Sequence, residues 1–472
     1  MLGISELPPD PLHGLGLGAI AATLRRGELT SECLLEAYLA RIDVLEPILN
    51  CFECIDVVRA RTHARAIDQL LQAGIDLGPL MGVPIAVKGM FAIDGLEASA
   101  GSKLPIADLI GAEGSFIRNL KRIGCVIIGT TKMAELALGG RTGINPLQGT
   151  PRNPWDQKDY RVPGASSSGS AVAVSAGLCA LAIASDTGGS ARLPAALCGI
   201  FGVKTTAGLW PTDGMFPSVP PLDTIGLMTT SAADAAWAFS AISKTEVPKA
   251  RMLRGLRLGR PRPVFFDNLD PAINRCVETA LGRLTELGAS VVDVDVPEVA
   301  GIGNKFAPLL QAYIIASLGR ERFVRNRELI GSWTWDRIAP ALDMRADHCL
   351  SLLQDLKKLA HTIQMRLAHY DAWITPTAGF LAPTVENGKR LDEGQSFGPG
   401  TGPSTQRRLA VNLSGLCAAS IPIHHLGASL PVGLQVICPP HQEEKLFSIA
   451  LAIEMAVGRP QGPNLVNLLA NQ

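Results

Sequence analysis

The chain lacks a net charge and contains few aromatic residues, and both shortages restrict the classes of protein it can belong to. Its 472 residues include 43 basic and 43 acidic side chains, and aromatic residues make up 5% of the total. A surface that binds nucleic acid or an anionic membrane needs an excess of positive charge, so the sequence predicts neither partner. Apolar residues make up 47% of the chain, which is enough for a large and mainly aliphatic core.

The cysteines and the N-terminal residues also lack the patterns of secreted or membrane proteins. The ten cysteines are scattered along the chain, which is typical of reduced, buried thiols in a cytosol-like compartment. Cys51 and Cys54 form a Cys-x-x-Cys pair, but no second Cys or His pair at zinc spacing accompanies it. The N-terminus has no leader pattern, and proline and glycines interrupt the uncharged stretch 162–185. The sequence therefore predicts a cytoplasmic protein without a membrane span.

Helical and strand-like patterns alternate along the chain. Residues 31–45 predict an amphipathic helix with Thr30 or Ser31 as its cap, and a second helix starting near Gly114 leads directly into the apolar run 125–129. The same order returns where Asp270 begins a predicted helix. Alternation of this kind predicts the α/β fold class.

Two later segments differ from this pattern. Residues 300–370 are predicted to be helical and carry no motif, and residues 387–408 predict a long polar loop that acts as a lid or binding segment. No repeat or long linker divides the chain. We therefore expect a single domain over residues 1–472, with a catalytic core at about 60–240 and 370–455 and a variable region at about 300–370.

The signatures of the common serine hydrolases and of phosphate-binding loops are absent. No histidine lies in a motif-like segment, no Gly-x-Ser-x-Gly elbow occurs, and no lysine has a serine three residues before it. A serine nucleophile would therefore need a different base, and a lysine can serve if its amine is neutral. Lowering a lysine pKa from about 10.4 to about 7 costs roughly 4–5 kcal/mol, which burial or a nearby cation can supply.

One lysine and one glycine-rich turn have the settings that such chemistry needs. Lys88 follows the apolar run 83–87, which suits a desolvated amine, although a lysine at a strand end more commonly reaches solvent. Ser190 ends the turn that follows the predicted strand 178–184. The glycines of that turn allow backbone N–H groups to converge on an oxyanion. The alternative is an ordinary strand-to-helix turn in which Ser190 caps the helix.

Three linked motifs resemble the amidase signature family. They are residues 82–88, which end in Lys88, residues 163–170, which contain Ser166, and residues 186–194, which contain Ser190. The resemblance extends over about residues 20–455 and includes Asn153-Pro154, 198–204, Asp223, 374–377, 412–416 and 430–437. It implies an α/β/α sandwich in which a large twisted mixed β-sheet is flanked by helices on both faces.

The resemblance also implies the roles of individual residues and the absence of a cofactor or metal. Ser190 would be the nucleophile, Ser166, joined to Ala165 by a cis peptide, would be the relay, and Lys88 would be the general base. The implied oxyanion donors are the backbone N–H groups of Thr187, Gly188, Gly189 and Ser190. Asp186 and Arg192 would support the turn. The sequence departs from the family pattern at Gly89, Ala165 and Thr205, where aspartate, glycine and proline are usual.

The reaction implied is hydrolysis of a C–N bond through an acyl-enzyme, and family members act on amides, carbamates and sometimes esters. The expected pocket residues are Met90, Met133, Leu138, Gly139, Gly140 and Arg141, with Leu136 and Ile144 beside them. Because these are mostly neutral, we expect an uncharged, moderately hydrophobic amide or carbamate (urethane) as the small-molecule substrate of a monomer or homodimer.

Two other interpretations of the sequence remain open. The first is the glutaminase subunit of a transamidation complex, which needs partner subunits and charged groups for glutamine, with Arg141 as the nearest candidate. The second is an inactive binding scaffold, which the presence of all three triad residues disfavours.

Overall fold

The fold is organised around one mixed β-sheet. A computed structural model describes residues 7–12, 14–138, 142–156, 158–396 and 406–470. Within these ranges eleven strands form the sheet. They are β1 (Phe52–Ile55), β2 (Pro84–Lys88), β3 (Val126–Thr131), β4 (Leu181–Ser185), β5 (Phe201–Lys204), β6 (Ile225–Thr229), β7 (Arg257–Arg262), β8 (Ser290–Asp295), β9 (Ala372–Pro376), β10 (Cys417–Pro422) and β11 (Gly433–Cys438).

The strand order across the sheet is β1-β3-β2-β4-β6-β5-β10-β11-β9-β7-β8. β2 runs parallel to both β3 and β4, β7 runs parallel to both β8 and β9, and the other neighbours are antiparallel. The inner strands β2, β4, β5, β6, β9, β10 and β11 are buried along their whole length. A strand covered on both faces is mainly apolar, which explains why these segments are largely apolar runs in the sequence.

Helices cover both faces of the sheet, as the α/β/α prediction requires. α6 and α7 pack against the middle strands and against each other, whereas α8, α9 and α16 form a second packed layer. The described helices are α1 (Leu17–Arg25), α2 (Ser31–Leu49), α3 (Val57–Gln72), α4 (Ala107–Ile110), α5 (Ser115–Arg122), α6 (Ser168–Ser175), α7 (Arg192–Cys198), α8 (Ala232–Ser243), α9 (Pro271–Glu286), α10 (Ile302–Leu318), α11 (Arg320–Arg325), α12 (Ser332–Ile338), α13 (Ala346–Leu367), α14 (Val385–Asp392), α15 (Gln406–Leu413), α16 (Glu443–Val457) and α17 (Leu465–Ala470). The predicted α/β class is confirmed.

Local capping signals place several helix starts where the sequence predicts them. Thr30 begins α2, and its hydroxyl accepts a hydrogen bond from the Cys33 N–H at 3.0 Å. Asp270 begins α9, and its carboxylate accepts from the Ala272 N–H at 2.8 Å. Such caps satisfy N–H groups that a helix cannot bond internally. The motif-free segment 300–370 is helical as predicted, and it forms α10 to α13.

The prediction of one long polar loop over residues 387–408 is wrong. α14 extends to Asp392 and α15 begins at Gln406, so both ends of the segment are helical. Thr384 caps α14 by accepting from the Asn387 N–H, and Leu391 anchors that helix in the core. This local cap and the burial of Leu391 stabilise a helix in spite of the polar composition of the segment. Residues 397–405 lie outside the described part of the chain.

The uncharged stretch 162–185 forms α6 and β4 with a turn between them. Among the described residues, no helix has both the length and the apolar character that a bilayer crossing requires. The ten cysteines are free thiols, including Cys51 and Cys54.

Candidate active site

Parallel pairing in the sheet brings the distant motif segments together. Lys88 is the last residue of β2, and Ser185 is the last residue of β4. The two strands are parallel neighbours, so their carboxyl ends lie side by side at one edge of the sheet. Ser166 precedes α6, and Ser190 precedes α7. The site is therefore built where two strands end and two helices begin.

The Lys88 amine is fully buried and contacts two hydroxyls. Its Nζ lies 2.7 Å from Ser166 Oγ and 2.7 Å from Ser185 Oγ. Burial lowers the pKa of Lys88 from 10.5 to about 7, although the charges of Asp186 and Asp223 act in the opposite direction. A substantial fraction of the amine is thus neutral near pH 7, which general-base chemistry requires.

Ser185 is a contact of Lys88 to which the sequence assigned no role. Its hydroxyl donates to Met90 Sδ at 3.1 Å while accepting from the lysine. Met90 is fully buried and supports this contact, so it is not part of the described cleft lining. The signal that could have found Ser185 is its position at the end of the strand parallel to the one that ends in Lys88.

Ser166 and Ser190 lie on segments that are tied together through the main chain. The Ala165–Ser166 peptide is cis, as the family resemblance implies. The N–H of Ser167 donates to the carbonyl of Ser190 at 3.2 Å. The Ser190 side chain faces the cleft, and no described residue forms a hydrogen bond with its hydroxyl. The structure thus joins Lys88 directly to Ser166 and places Ser190 on the adjoining segment. Catalytic hydrogen bonds, such as one between Ser190 and Ser166, are often long in free enzymes and shorten only when substrate is bound.

The turn before Ser190 lines the cleft. Among the described residues no acceptor is found for the N–H groups of Thr187, Gly188 and Ser190, all of which line the cleft. The N–H of Gly189 instead donates to Asp186 Oδ1 at 2.8 Å. Of the four N–H groups predicted to bind the oxyanion, that of Gly189 is thus already bonded to Asp186. Gly189 has φ 114°, a conformation that favours glycine.

Asp186 and Arg192 hold this turn from inside the protein. The Asp186 carboxylate accepts from Arg192 Nε and Nη2, each at 3.0 Å, and from Asn412 Nδ2 at 2.8 Å. Arg192 also donates to Gln435 Oε1 at 2.6 Å. Burial alone would raise the pKa of Asp186, but the charge and hydrogen bonds of Arg192 hold that pKa well below its usual range. The supporting side chains Asn412 and Gln435 have no assigned role in the sequence analysis, because they come from α15 and β11.

Asp223 supports the same turn from another side. Its Oδ1 accepts from Thr187 Oγ1 at 2.5 Å, and its Oδ2 accepts from the Val219 N–H at 2.9 Å. Burial raises the pKa of Asp223 to about 6 although both hydrogen bonds favour the ionised form. This carboxyl therefore titrates in the same range as Lys88.

A cleft of about 810 Å³ opens over Ser190 and its turn. α10 contributes Asn304, Ala307 and Gln311, which share one face of the helix. α12 contributes Trp333 and Arg337, which are four residues apart and also share a face. We call this part of the lining, from α10 and α12, the helical wall.

The predicted pocket residues are only partly in the cleft. Leu138 lines it, whereas Met133 is fully buried and does not belong to the described lining. Gly139, Gly140 and Arg141 lie outside the described residues. The described lining is mostly neutral, but it also contains the charged residues Asp336, Arg337, Asp392, Glu393 and Arg408. These residues come from the helical wall, from the C-terminal end of α14 and from α15.

The three departures from the family pattern have local structural consequences. A Cβ on Gly89 would lie 1.9 Å from Glu53 Oε2, so the glycine makes room for a carboxylate from β1. Glu53 Oε1 accepts from Ser99 Oγ and, at 3.1 Å, from Gln148 Nε2. The Thr205 hydroxyl donates to the Ile225 carbonyl at 2.8 Å, and Ala165 lines the cleft.

Comparisons with known proteins all find members of one protein family. The profile of the family described as Amidase matches residues 33–447. The chain is 34% identical to 2-amino-5-chloromuconic acid deaminase of Comamonas testosteroni, covering 94% of this chain and 96% of that protein. It is 32% identical to a glutamyl-tRNA(Gln) amidotransferase subunit of Chloroflexus aurantiacus, covering 96% and 99%.

Solved structures show the same similarity. A crystal structure of an amidase superposes with a TM-score of 0.85 at 26% identity, covering 94% of this chain and 100% of the other. The native peptide amidase of Stenotrophomonas maltophilia superposes with a TM-score of 0.81 at 27% identity, covering 97% and 100%.

Proposed function

The chain belongs to the amidase family and is a hydrolase of amide C–N bonds, and from that premise we propose that Ser190 performs the cleavage through an acyl-enzyme. The observation that carries the proposal is the contact of 2.7 Å between Ser166 Oγ and a buried lysine amine with a pKa of about 7. A neutral amine has two N–H groups and one lone pair. Lys88 can therefore donate to Ser185 and accept a proton from Ser166 at the same time.

The first half of the reaction makes the acyl-enzyme. Ser190 Oγ attacks the carbonyl carbon while its proton passes to Ser166 Oγ, and the Ser166 proton passes to Lys88 Nζ. The carbonyl oxygen becomes an oxyanion that the N–H groups of Thr187, Gly188 and Ser190 stabilise. When the tetrahedral intermediate collapses, the C–N bond breaks, and the leaving nitrogen receives a proton from Lys88 through Ser166.

The second half of the reaction releases the acid. Water attacks the ester carbonyl and gives a proton to Lys88 through Ser166. The bond between the acyl carbon and Ser190 Oγ then breaks, and Oγ regains its proton by the same route. Because a carbamate or an ester presents the same carbonyl to Ser190, the proposal extends to these substrates.

The deaminase from C. testosteroni is named for removing an amino group from a small acid, which is also cleavage of a C–N bond. Ammonia release is therefore a suitable assay. We expect it from primary amides with the wild-type protein, and we expect a serine-directed fluorophosphonate to label Ser190. Equal labelling of the wild type and Ser190→Ala would contradict the assigned nucleophile. The proposal places the enzyme in the cytoplasm as a monomer or homodimer, and light scattering checks the oligomeric part.

A glutaminase subunit is the second candidate function. The observation in its favour is a cleft lined by both acidic and basic side chains, which suits the charged groups of glutamine. It predicts hydrolysis of glutamine in preference to simple amides, and activity that rises when partner subunits are added. Turnover of simple amides at equal or higher rates by the isolated chain would exclude it.

A further inference from the structure

Arg337 on the helical wall is a positive group held in a fixed orientation at the cleft. Its Nη1 donates to the Leu138 carbonyl at 3.3 Å, and its guanidinium lies 5.1 Å from the centre of the Trp333 ring. A guanidinium keeps its positive charge throughout the physiological pH range. When it is also stacked on an aromatic ring, it loses little further freedom on binding a ligand.

Arg408 is a second positive group in the lining, close to the nucleophile. Its side chain is 1% exposed, and its Nη1 donates to the Thr377 carbonyl at 2.8 Å. The side chain packs directly over Gly189, since a Cβ at that glycine would lie 2.6 Å from Arg408 Nε. A buried charge acts through a low dielectric, so Arg408 favours a negative group in the part of the cleft near Ser190.

We propose that the substrate of this site is an amide that carries a carboxylate, bound by Arg337 and favoured by the charge of Arg408. This inference rests on the proposed function of Ser190. The planar guanidinium matches a carboxylate with two parallel hydrogen bonds. Asp336, Asp392 and Glu393 also line the cleft and repel a carboxylate placed beside them, so they restrict the orientations of such a substrate. The substrate class is thus the monoamide of a dicarboxylic acid, which replaces the uncharged amide expected from the sequence.

The chain contains a matched control for Arg337. Arg327 lies 4.7 Å from the Trp335 ring centre, and its Nη1 donates to the Ile330 carbonyl at 3.2 Å. Both arginines are half-buried, but Arg327 is not among the described residues that line the cleft. The two positions therefore differ mainly in access to the substrate.

The turnover test compares adipamate with hexanamide, which differ only in a carboxylate that replaces a terminal methyl group. We expect the wild type to favour adipamate. Arg337→Met should lower kcat/KM for adipamate by about 10- to 100-fold, the range for a charge-assisted hydrogen bond, with a change of less than about threefold for hexanamide. Arg327→Met should change neither value. A wild type that favours hexanamide, or an Arg337→Met that lowers both values equally, would overturn the inference.

A binding test separates this inference from the proposed chemistry. Adipate should raise the melting temperature of Ser190→Ala, and adding Arg337→Met should abolish that rise. Arg408→Met should weaken it, whereas Arg407→Met should not, because Arg407 donates to the Phe265 and Asp267 carbonyls and is not among the described lining residues. If adipate binds in this pattern but no amide is hydrolysed, the carboxylate site stands and the proposed function fails. If hexanamide is hydrolysed but adipate does not bind, the inference alone fails.

Discussion

The two sides of the cleft differ in how the sequence encodes them. The side that holds Lys88, Ser166 and Ser190 is built from short glycine-rich motifs at the ends of buried strands and the starts of helices. The opposite side, the helical wall, is built from α10 and α12, which carry no motif. On the first side hydrogen bonds fix Lys88, Ser166 and the turn before Ser190, whereas the second side presents a mixture of polar, charged and aromatic side chains. Under the proposed function, the catalytic groups and the groups that select the substrate therefore come from different structural elements.

Removing the nucleophile gives the largest expected effect. Ser190→Ala should lower kcat/KM by about 10⁴- to 10⁶-fold for every substrate, as removal of other catalytic serines does. Gln311→Ala on the helical wall should instead change the ratio between substrates by about tenfold or less. Steady-state ammonia release with adipamate and hexanamide measures both effects. If Gln311→Ala lowered both rates as strongly as Ser190→Ala, the separation of the two sides would be wrong.

The pH profile tests the base on the motif side. Because the pKa of Lys88 is about 7 and the neutral amine is the active form, kcat/KM should fall about tenfold per pH unit as the pH drops below 7. Asp223 raises the pKa of Lys88, so Asp223→Asn should move the midpoint of this fall to lower pH. Lys88→Met should remove the pH-dependent activity. A midpoint that moves upward in Asp223→Asn would contradict the assignment of Lys88 as the titrating group.

The support beneath the catalytic turn should affect stability as well as rate. Asp186→Asn leaves the buried Arg192 without a compensating charge, which should lower the free energy of unfolding by about 3–5 kcal/mol. Urea denaturation monitored by circular dichroism measures this change. Asp347→Asn is the control, because it removes a pair with Arg345 in which both side chains are largely exposed. An equal loss in the two variants would show that burial is not the cause.

The same contrast explains which residues of the site could be predicted from the sequence and which could not. The sequence pointed to Lys88, Ser166 and Ser190 because the local motifs around them resemble the amidase signature family, and the predicted α/β class is confirmed by the sheet. Ser185 had no assigned role, because its contact with Lys88 depends on two strands being parallel neighbours. Arg337 was missed for a different reason. Nothing in the sequence of a helix tells which of its faces will meet a cleft, and Arg337 lies 199 positions after Leu138, the lining residue that it contacts.

The smallest expected effect comes from moving a carboxylate near Lys88 from position 53 to position 89. In this chain Gly89 leaves space for Glu53, whereas the family pattern has an aspartate at position 89. Gly89→Asp alone should therefore destabilise the protein by about 1–3 kcal/mol, because the new side chain overlaps the Glu53 carboxylate. The double variant with Glu53→Ala removes that overlap and should recover most of the lost stability, so the two changes should not be additive. Four melting curves, for the wild type, both single variants and the double variant, measure this coupling.

Additive losses would mean that Glu53 and a side chain at position 89 do not compete for the same space. Recovery would show that the buried carboxylate beside Lys88 can be supplied from position 89 instead of position 53.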